Sequence, residues 1–351
     1  MKSNFIIILL FVMITSTTYA KVPGFEKIVW DMKIKLPVLG NVKENLGVAG
    51  AYSGIVDGKL VVLGGANFPD KKPWDGGEKR WWKTLYSFDL SQEEWQIIPD
   101  FLPRSMGYGV SIQLPNAVLC IGGCDANDCF SDVFSVERLQ GEWLINTDWP
   151  PLPVPLACGT GVLCDGKVYV FGGQTGMKRQ VATSYVFVLD LQTANEGWKE
   201  LPTWPGEPKG YAVSVALKDK VYLFSGRNYN DKGLLNVHTD GFVFTPKINT
   251  WEKLSADFPV MAGVAFTDEK EIIVFPGGVE EALPTTPDHP GFSRNIKCYN
   301  LNTKTLTICG ESPYPIPVTT NLVIDNDTVY IVSGEIRPGV RTPYVLRGII
   351  Q

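Results

Sequence analysis

The chain is 351 residues long, 44% hydrophobic and 20% charged, with a formal net charge of −5 and a pI near 5.3. That length allows a large core or two domains. The acidic balance, without any run of Lys or Arg, argues against nucleic acid as a partner, since phosphate-binding surfaces are basic. With 35 Gly, 25 Pro and 10 Trp, the composition suits many short strands joined by tight turns and disfavours a helix-rich fold.

At the N-terminus, Lys2 precedes an apolar block at residues 5–14 and a small, polar stretch ending Thr18-Tyr19-Ala20. These are the three regions of a secretory signal peptide, and the apolar block is too short to be a stable bilayer anchor. Residues 1–20 are therefore expected to be cleaved after Ala20, leaving residues 21–351 as a single exported domain. No second long apolar run follows, so no membrane attachment is expected of the mature form.

An apolar strand ending in Gly-Gly or Ser-Gly then recurs: LVVLGG at residues 60–65, VLCIGG at 118–123, VYVFGG at 168–173, VYLFSG at 221–226, IIVFPGG at 272–278 and VYIVSG at 329–334. Another short strand precedes the pair, as at residues 52–56 and 110–114, with turns such as Asp57-Gly58 and Asp165-Gly166 leading into the next. A further apolar segment follows, and then Trp95, Trp143, Trp198 and Trp251 in the first four copies, with Leu306 in that place in the fifth. Each unit reads as a four-stranded antiparallel meander of roughly 50 residues, a period that resembles the kelch repeat. One such sheet cannot bury both faces alone, whereas radial packing of several does so and protects their edges. The expected fold is all-β, a six-bladed kelch-type β-propeller.

The sixth unit supplies strands at residues 321–324, 329–334 and 344–347 but no fourth. Residues 27–36, KIVWDMKIKL, belong to no unit and carry Trp30 in the place of the repeat aromatic. This N-terminal strand is expected to pair with residues 344–347 and complete the last blade.

Departures from a repeat are where function tends to sit. The first unit inserts ANFPDKKPWDGGEKRWWKTL between Gly65 and Tyr86, with Trp74, Trp81 and Trp82 expected to be exposed among charges. Such a loop either covers a pocket and stacks on a flat ligand or packs its own aromatics as an Ω-loop. The fifth unit carries an excursion at residues 279–294, whose His289 has no partner at a telling spacing and reads as a bystander. The third departure is SGEIRPGVRT at residues 333–342, which crowds Glu335, Arg337 and Arg341 around a Pro338-Gly339 turn. A carboxylate beside fixed guanidinium groups suits proton transfer on a bound anion, because Arg can grip a carboxylate bidentately while Glu exchanges a proton. The same spacing also suits a loop-stabilising ion pair.

Seven Cys is an odd count, so at least one thiol stays free or pairs outside the chain. Cys120, Cys158 and Cys164 lie in or beside apolar strand patterns and read as small buried side chains. Cys124 and Cys129 either close a small loop disulfide or stay reduced. With only His238 and His289, and no paired CxxC spacing, the sequence gives no metal site.

Taken whole, residues 21–351 resemble the N-acetylneuraminate (sialic acid) mutarotase or epimerase family, kelch propellers exported to the bacterial periplasm. The resemblance rests on GESPYPIPVTTNLVIDNDTVYIVSGEIRPGVRT at residues 310–342, GVAGAYSG at 47–54 leading into LVVLGGANF, and RSMGYGVS at 104–111. The order of these blocks looks cyclically permuted relative to the best-known members, which a closed ring tolerates. The resemblance implies interconversion of the α and β anomers of free sialic acid, an acidic sugar. It implies Glu335 as proton acceptor and Arg341 as the group that binds the substrate carboxylate, with Arg104, Arg337 and Asn67 as further candidates for substrate contact. Periplasmic location is implied with it. No metal, nucleotide or redox cofactor is expected, because the chain has no phosphate-cradling Gly loop with Lys-Ser/Thr and its two His are too few for a His-based copper site. The alternatives are a non-catalytic propeller binding glycan or protein partners through the same face, and an enzyme of the same scaffold acting on another sugar.

Overall fold

The computed structural model describes residues 27–40, 43–178, 180–230 and 232–351; the expected signal segment at residues 1–20 lies outside them. Six four-stranded antiparallel sheets stand as the blades of a propeller. The first blade runs in order through Tyr52–Val56, Lys59–Leu63, Leu85–Asp89 and Glu94–Ile98. Its first hairpin turns at Asp57 (φ 51°) and Gly58 (φ 67°), the left-handed pair of a type I′ turn, whose twist matches that of the flanking strands. Asp165 (φ 49°) and Gly166 (φ 70°) repeat the device in the third blade.

The apolar run before each Gly pair is continuous rather than alternating because that strand is buried on both faces. In the first blade Val61 and Leu63 pack with Val118, Cys120 and Phe134 of the second blade. Leu60 and Val62, on the opposite face, pack with Val323, Tyr330 and Val345 of the last. The core is therefore a set of inter-blade layers. Burial of a Val or Leu side chain in such a layer stabilises the fold by about 1.5–3 kcal/mol.

The last blade is composite, as the sequence leads one to expect. Ile28–Lys35 pairs antiparallel with Tyr344–Ile350, in a register that sets Val29 opposite Ile349 and Lys35 opposite Tyr344. Arg347 reinforces the pairing through Nε, which donates to Asp31 Oδ2 at 2.8 Å. Trp30 is buried in the layer that this blade shares with Ile272, Val274 and Cys298 of the fifth.

Closure is also written at the axis. One residue just ahead of each blade's first strand adopts positive φ: Gly50, Tyr108, Cys158, Tyr211, Ala262 and Thr319, at 54–66°. Their backbones form a ring in which Gly50 N–H donates to Thr319, Tyr108 to Gly50, Cys158 to Tyr108, Tyr211 to Cys158, Ala262 to Tyr211 and Thr319 to Ala262, each at 2.7–2.8 Å. The left-handed conformation costs a non-Gly residue roughly 1–2 kcal/mol. It is held here because otherwise six backbone N–H groups beside the axis would lose their partners.

Candidate functional site

The residue that follows each Gly pair is bridged to the residue just ahead of its own blade's ring position: Ala66 to Ala49, Cys124 to Gly107, Gln174 to Ala157, Arg227 to Gly210, Val279 to Met261 and Glu335 to Val318. The Gly pair makes this approach possible. Gly334 has φ 102°, and a Cβ there would stand 2.7 Å from the Val318 carbonyl oxygen. Charge appears at this repeat position only in Arg227 and Glu335. Both open onto one cavity of roughly 290 Å³, whose wall also includes Lys79, Tyr108, Tyr211 and Arg341.

Glu335 and Arg341 face each other across a short hairpin, Glu335–Arg337 against Val340–Arg341. Arg341 Nη1 lies 2.7 Å from Glu335 Oε1, an ion-pair distance without the alignment of a hydrogen bond. Gly339 N–H donates to the same Oε1 at 3.2 Å. Arg341 is further fixed by Nε toward the Ala66 carbonyl and Nη2 toward the Tyr108 hydroxyl, both at 3.4 Å, and by the Phe68 ring 4.8 Å beneath its guanidinium carbon. The Arg341 side chain is 3% exposed and that of Glu335 19%, so a ligand in the cavity can reach the carboxylate more readily than its partner. Burial works against the Arg341 charge, but Glu335 and Tyr108 outweigh it and raise the pKa.

Two more cations border the cavity. Lys79, from the first blade's insert, holds its Nζ 4.9 Å from the Tyr108 ring centroid and 5.4 Å from that of Trp81. Burial opposes its charge, and Tyr108 and Glu335 more than offset that, so its pKa is raised. Arg227 lies 4.6 Å over the Tyr211 ring and 5.1 Å over Tyr229. Its Nη1 donates to the Tyr229 hydroxyl at 2.6 Å and its Nη2 to Gln180 Oε1 at 3.2 Å. Among the described residues, neither Lys79 nor Arg227 makes an ion pair with a carboxylate.

Of the residues singled out from sequence, the structure brings Glu335 and Arg341 together in the cavity wall. Arg337 stands apart, donating to the Pro287 carbonyl at 2.6 Å and lying 5.5 Å over Trp74. Arg104 is exposed, 3.1 Å from Asp132 and 4.6 Å over Phe130. Asn67 is buried, donating to the Gly47 carbonyl at 2.7 Å and accepting from Trp82 Nε1 at 3.0 Å, which pins the base of the insert. None of these three borders the cavity.

One expectation needs correction, and one open alternative is decided. Trp74, Trp81 and Trp82 are half-buried rather than exposed: Trp74 lies against Arg337, while Trp81 and Trp82 contact Lys79 and Asn67 of the insert itself. Cys124 and Cys129 are not joined. They face each other across an isolated bridge as free, buried thiols; burial raises both, Cys129 to about 12. The disulfide is instead Cys298–Cys309, linking neighbouring strands of the fifth blade. His289, as expected, does not border the cavity: it is buried against Phe292, its Nδ1 accepting from Gly291 N–H at 2.9 Å.

Sequence reasoning passed over Lys79, Tyr108, Tyr211 and Arg227. Arg227 carried a usable signal, since SGRN in the fourth unit aligns with SGEI in the sixth. Tyr108 and Tyr211 occupy ring positions that alignment of the units would also have exposed. Lys79 had no such signal, because the insert has no counterpart in other blades.

Comparison with known proteins adds an independent line. A sequence model of the family described as N-acetylneuraminate epimerase matches residues 13–145 and 149–286. An N-acetylneuraminate epimerase of Haemophilus influenzae is 28% identical over 227 residues, 57% of this chain and 59% of that protein. N-acetylneuraminate epimerase 2 of Escherichia coli O6:H1 is 28% identical over 223 residues, 56% and 59% of the two chains. The Salmonella typhi protein named N-acetylneuraminate epimerase is 28% identical over 233 residues, 58% of each. The chain thus spans less than two thirds of the length of these curated relatives. The family match ends before Glu335 and Arg341 and includes Lys79, Tyr108, Tyr211 and Arg227.

Proposed function

Since the chain belongs to the N-acetylneuraminate epimerase family, we propose that it interconverts the α and β anomers of free N-acetylneuraminate, with Glu335 moving the proton. The observation that carries this reading is the ion pair at the cavity wall, where Glu335 Oε1 sits 2.7 Å from an Arg341 side chain that is 3% exposed. A permanent, buried cation holds the carboxylate in place, so that it is positioned to accept a proton from a bound hydroxyl. The cavity, at roughly 290 Å³, is at the small end of the range for small-molecule sites.

The reaction is an isomerisation that consumes nothing. Glu335 takes the proton from the anomeric hydroxyl, and the bond between the anomeric carbon and the ring oxygen breaks. A proton returned to that oxygen gives the open-chain keto acid. After rotation of the carbonyl the steps reverse, with closure on its other face. Holding the substrate in one orientation supplies part of the acceleration, and Glu335 supplies the rest by general base and acid catalysis, typically 10²- to 10⁴-fold. The proposal includes export to the periplasm. The Cys298–Cys309 disulfide supports an oxidising location.

The test is proton NMR of sialidase-released α-N-acetylneuraminate, following its approach to anomeric equilibrium with wild type, with Glu335→Gln and without protein. Wild type is expected to speed equilibration, and Glu335→Gln to return it close to the spontaneous rate. No acceleration by folded wild type would withdraw the enzymatic reading.

A further inference from the structure

Resting on that reading, we propose that Arg227 is the receptor for the substrate carboxylate, while Arg341 stays with Glu335. The resemblance to the family implies Arg341 for this task, and the geometry argues otherwise. Arg341 has Nη1 on Glu335, Nε toward the Ala66 carbonyl and one face on Phe68. Its charge is thus already matched by one carboxylate, and a second on the same guanidinium would compete with Glu335 for it. The Arg341 side chain is also only 3% exposed, so little of the guanidinium is open to a ligand in the cavity whose wall it helps to form.

Arg227 has the opposite properties. It borders the cavity and is half-buried. It is held between two tyrosine rings, and its two hydrogen-bond partners are neutral, the Tyr229 hydroxyl and Gln180 Oε1. Neutral partners orient a guanidinium without cancelling its charge, which leaves a rigid cationic fork suited to a planar carboxylate. Lys79 adds a second positive charge to the same cavity. Glu281, the other carboxylate on the rim, is exposed and so is well screened by water.

The division of labour has a chemical consequence. In a 2-keto acid sugar the carboxylate is bonded directly to the anomeric carbon. A carboxylate anchored on Arg227 therefore fixes that carbon within the cavity that Glu335 also borders. A neutral sugar would leave Arg227 without its ligand, so this residue sets the preference for acids.

Calorimetric titration of the full chain with N-acetylneuraminate and with its methyl ester tests the assignment. Wild type is expected to favour the acid. Arg227→Gln is expected to lose roughly 10- to 100-fold in affinity for the acid, the worth of a hydrogen-bonded charge, with little change for the ester. Arg227→Lys keeps a point charge without the fork and is expected to recover part of the loss. A folded Arg227→Gln protein that keeps the wild-type preference for the acid overturns the proposal. Wild type that neither distinguishes acid from ester nor speeds anomer exchange overturns the parent reading as well, so the two failures are separable.

Discussion

Arg227 and Glu335 stand at the same place in their blades: each follows a Ser-Gly pair and each is bridged to the residue ahead of its blade's ring position, Gly210 and Val318. The repeat thus delivers a cation from the fourth blade and a carboxylate from the sixth to one cavity by the same backbone device, with the fifth blade's Val279 between them in the series.

Replacement of Glu335 separates chemistry from folding. Glu335→Gln keeps the shape and a hydrogen-bond acceptor for Gly339 N–H, so the fold is expected to survive, and mutarotation to fall by roughly 10²- to 10⁴-fold. Glu335→Leu leaves Arg341 as a buried, unpaired charge and is expected to destabilise the protein by about 3–5 kcal/mol. Urea melts of wild type and the two variants check the contrast, and a Glu335→Leu midpoint equal to that of wild type would mean that the ion pair does not hold the loop.

The composite blade makes the ring depend on its N-terminal strand. Trp30→Ala removes a buried indole from the layer shared by the fifth and sixth blades and is expected to cost about 3–5 kcal/mol. Denaturant unfolding reads the loss. A change below about 1 kcal/mol would show that the layer closes over the gap.

The disulfide sits in the fifth blade and joins residues 11 apart. Cross-links over loops of this length contribute about 3 kcal/mol in the chain-entropy account. Reduction is therefore expected to lower the melting temperature of wild type, and Cys298→Ser to lower it similarly while removing the sensitivity to reductant. A Cys298→Ser protein that still responds to reductant would place the redox-sensitive bond elsewhere.

Acid should weaken the fold where Lys–Asp contacts hold it. Lys59 and then Ser91 hold the Asp89 carboxyl well below its ordinary value of 3.8, and Lys247 lowers that of Asp219. A carboxyl with a depressed folded pKa adds stability above its unfolded value and loses it as the pH falls toward the folded one. Melting temperature is thus expected to drop as the pH falls below about 4. Asp89→Asn should be less stable than wild type at neutral pH and show a shallower acid slope. Parallel slopes for the two proteins would rule Asp89 out as a contributor.

Backbone clearance gives a sharper test of the site's scaffold. Gly334→Ala puts a methyl group 2.7 Å from the Val318 carbonyl oxygen at a φ of 102°, which L-residues rarely adopt. Both stability and activity are expected to fall, since Glu335 is the next residue. Unchanged activity in this variant would mean that the Gly pair does not fix where Glu335 points.

Much of this architecture is legible in the chain alone. The recurring apolar strand with its Gly pair fixes the blade, because a doubly buried strand must be apolar at every position and must end where two backbones meet. The orphan segment around Trp30 announces its own pairing, because the sixth unit lacks one strand. Glu335 and Arg341 stand out because they crowd a short Pro-Gly loop where the repeat pattern breaks. What pairs with what at the cavity was decided only by tertiary structure. Arg227 and Lys79 reach the same cavity from units far apart in sequence, and Cys298 meets Cys309 across neighbouring strands of the fifth blade. Arg104 and Asn67 lie within suggestive motifs but turn to Asp132 and to Gly47 and Trp82. Blade geometry is a local, repeated property that periodicity records. The cavity is made by side chains at the ends of different blades, and their separation and shared burial arise only when the ring closes.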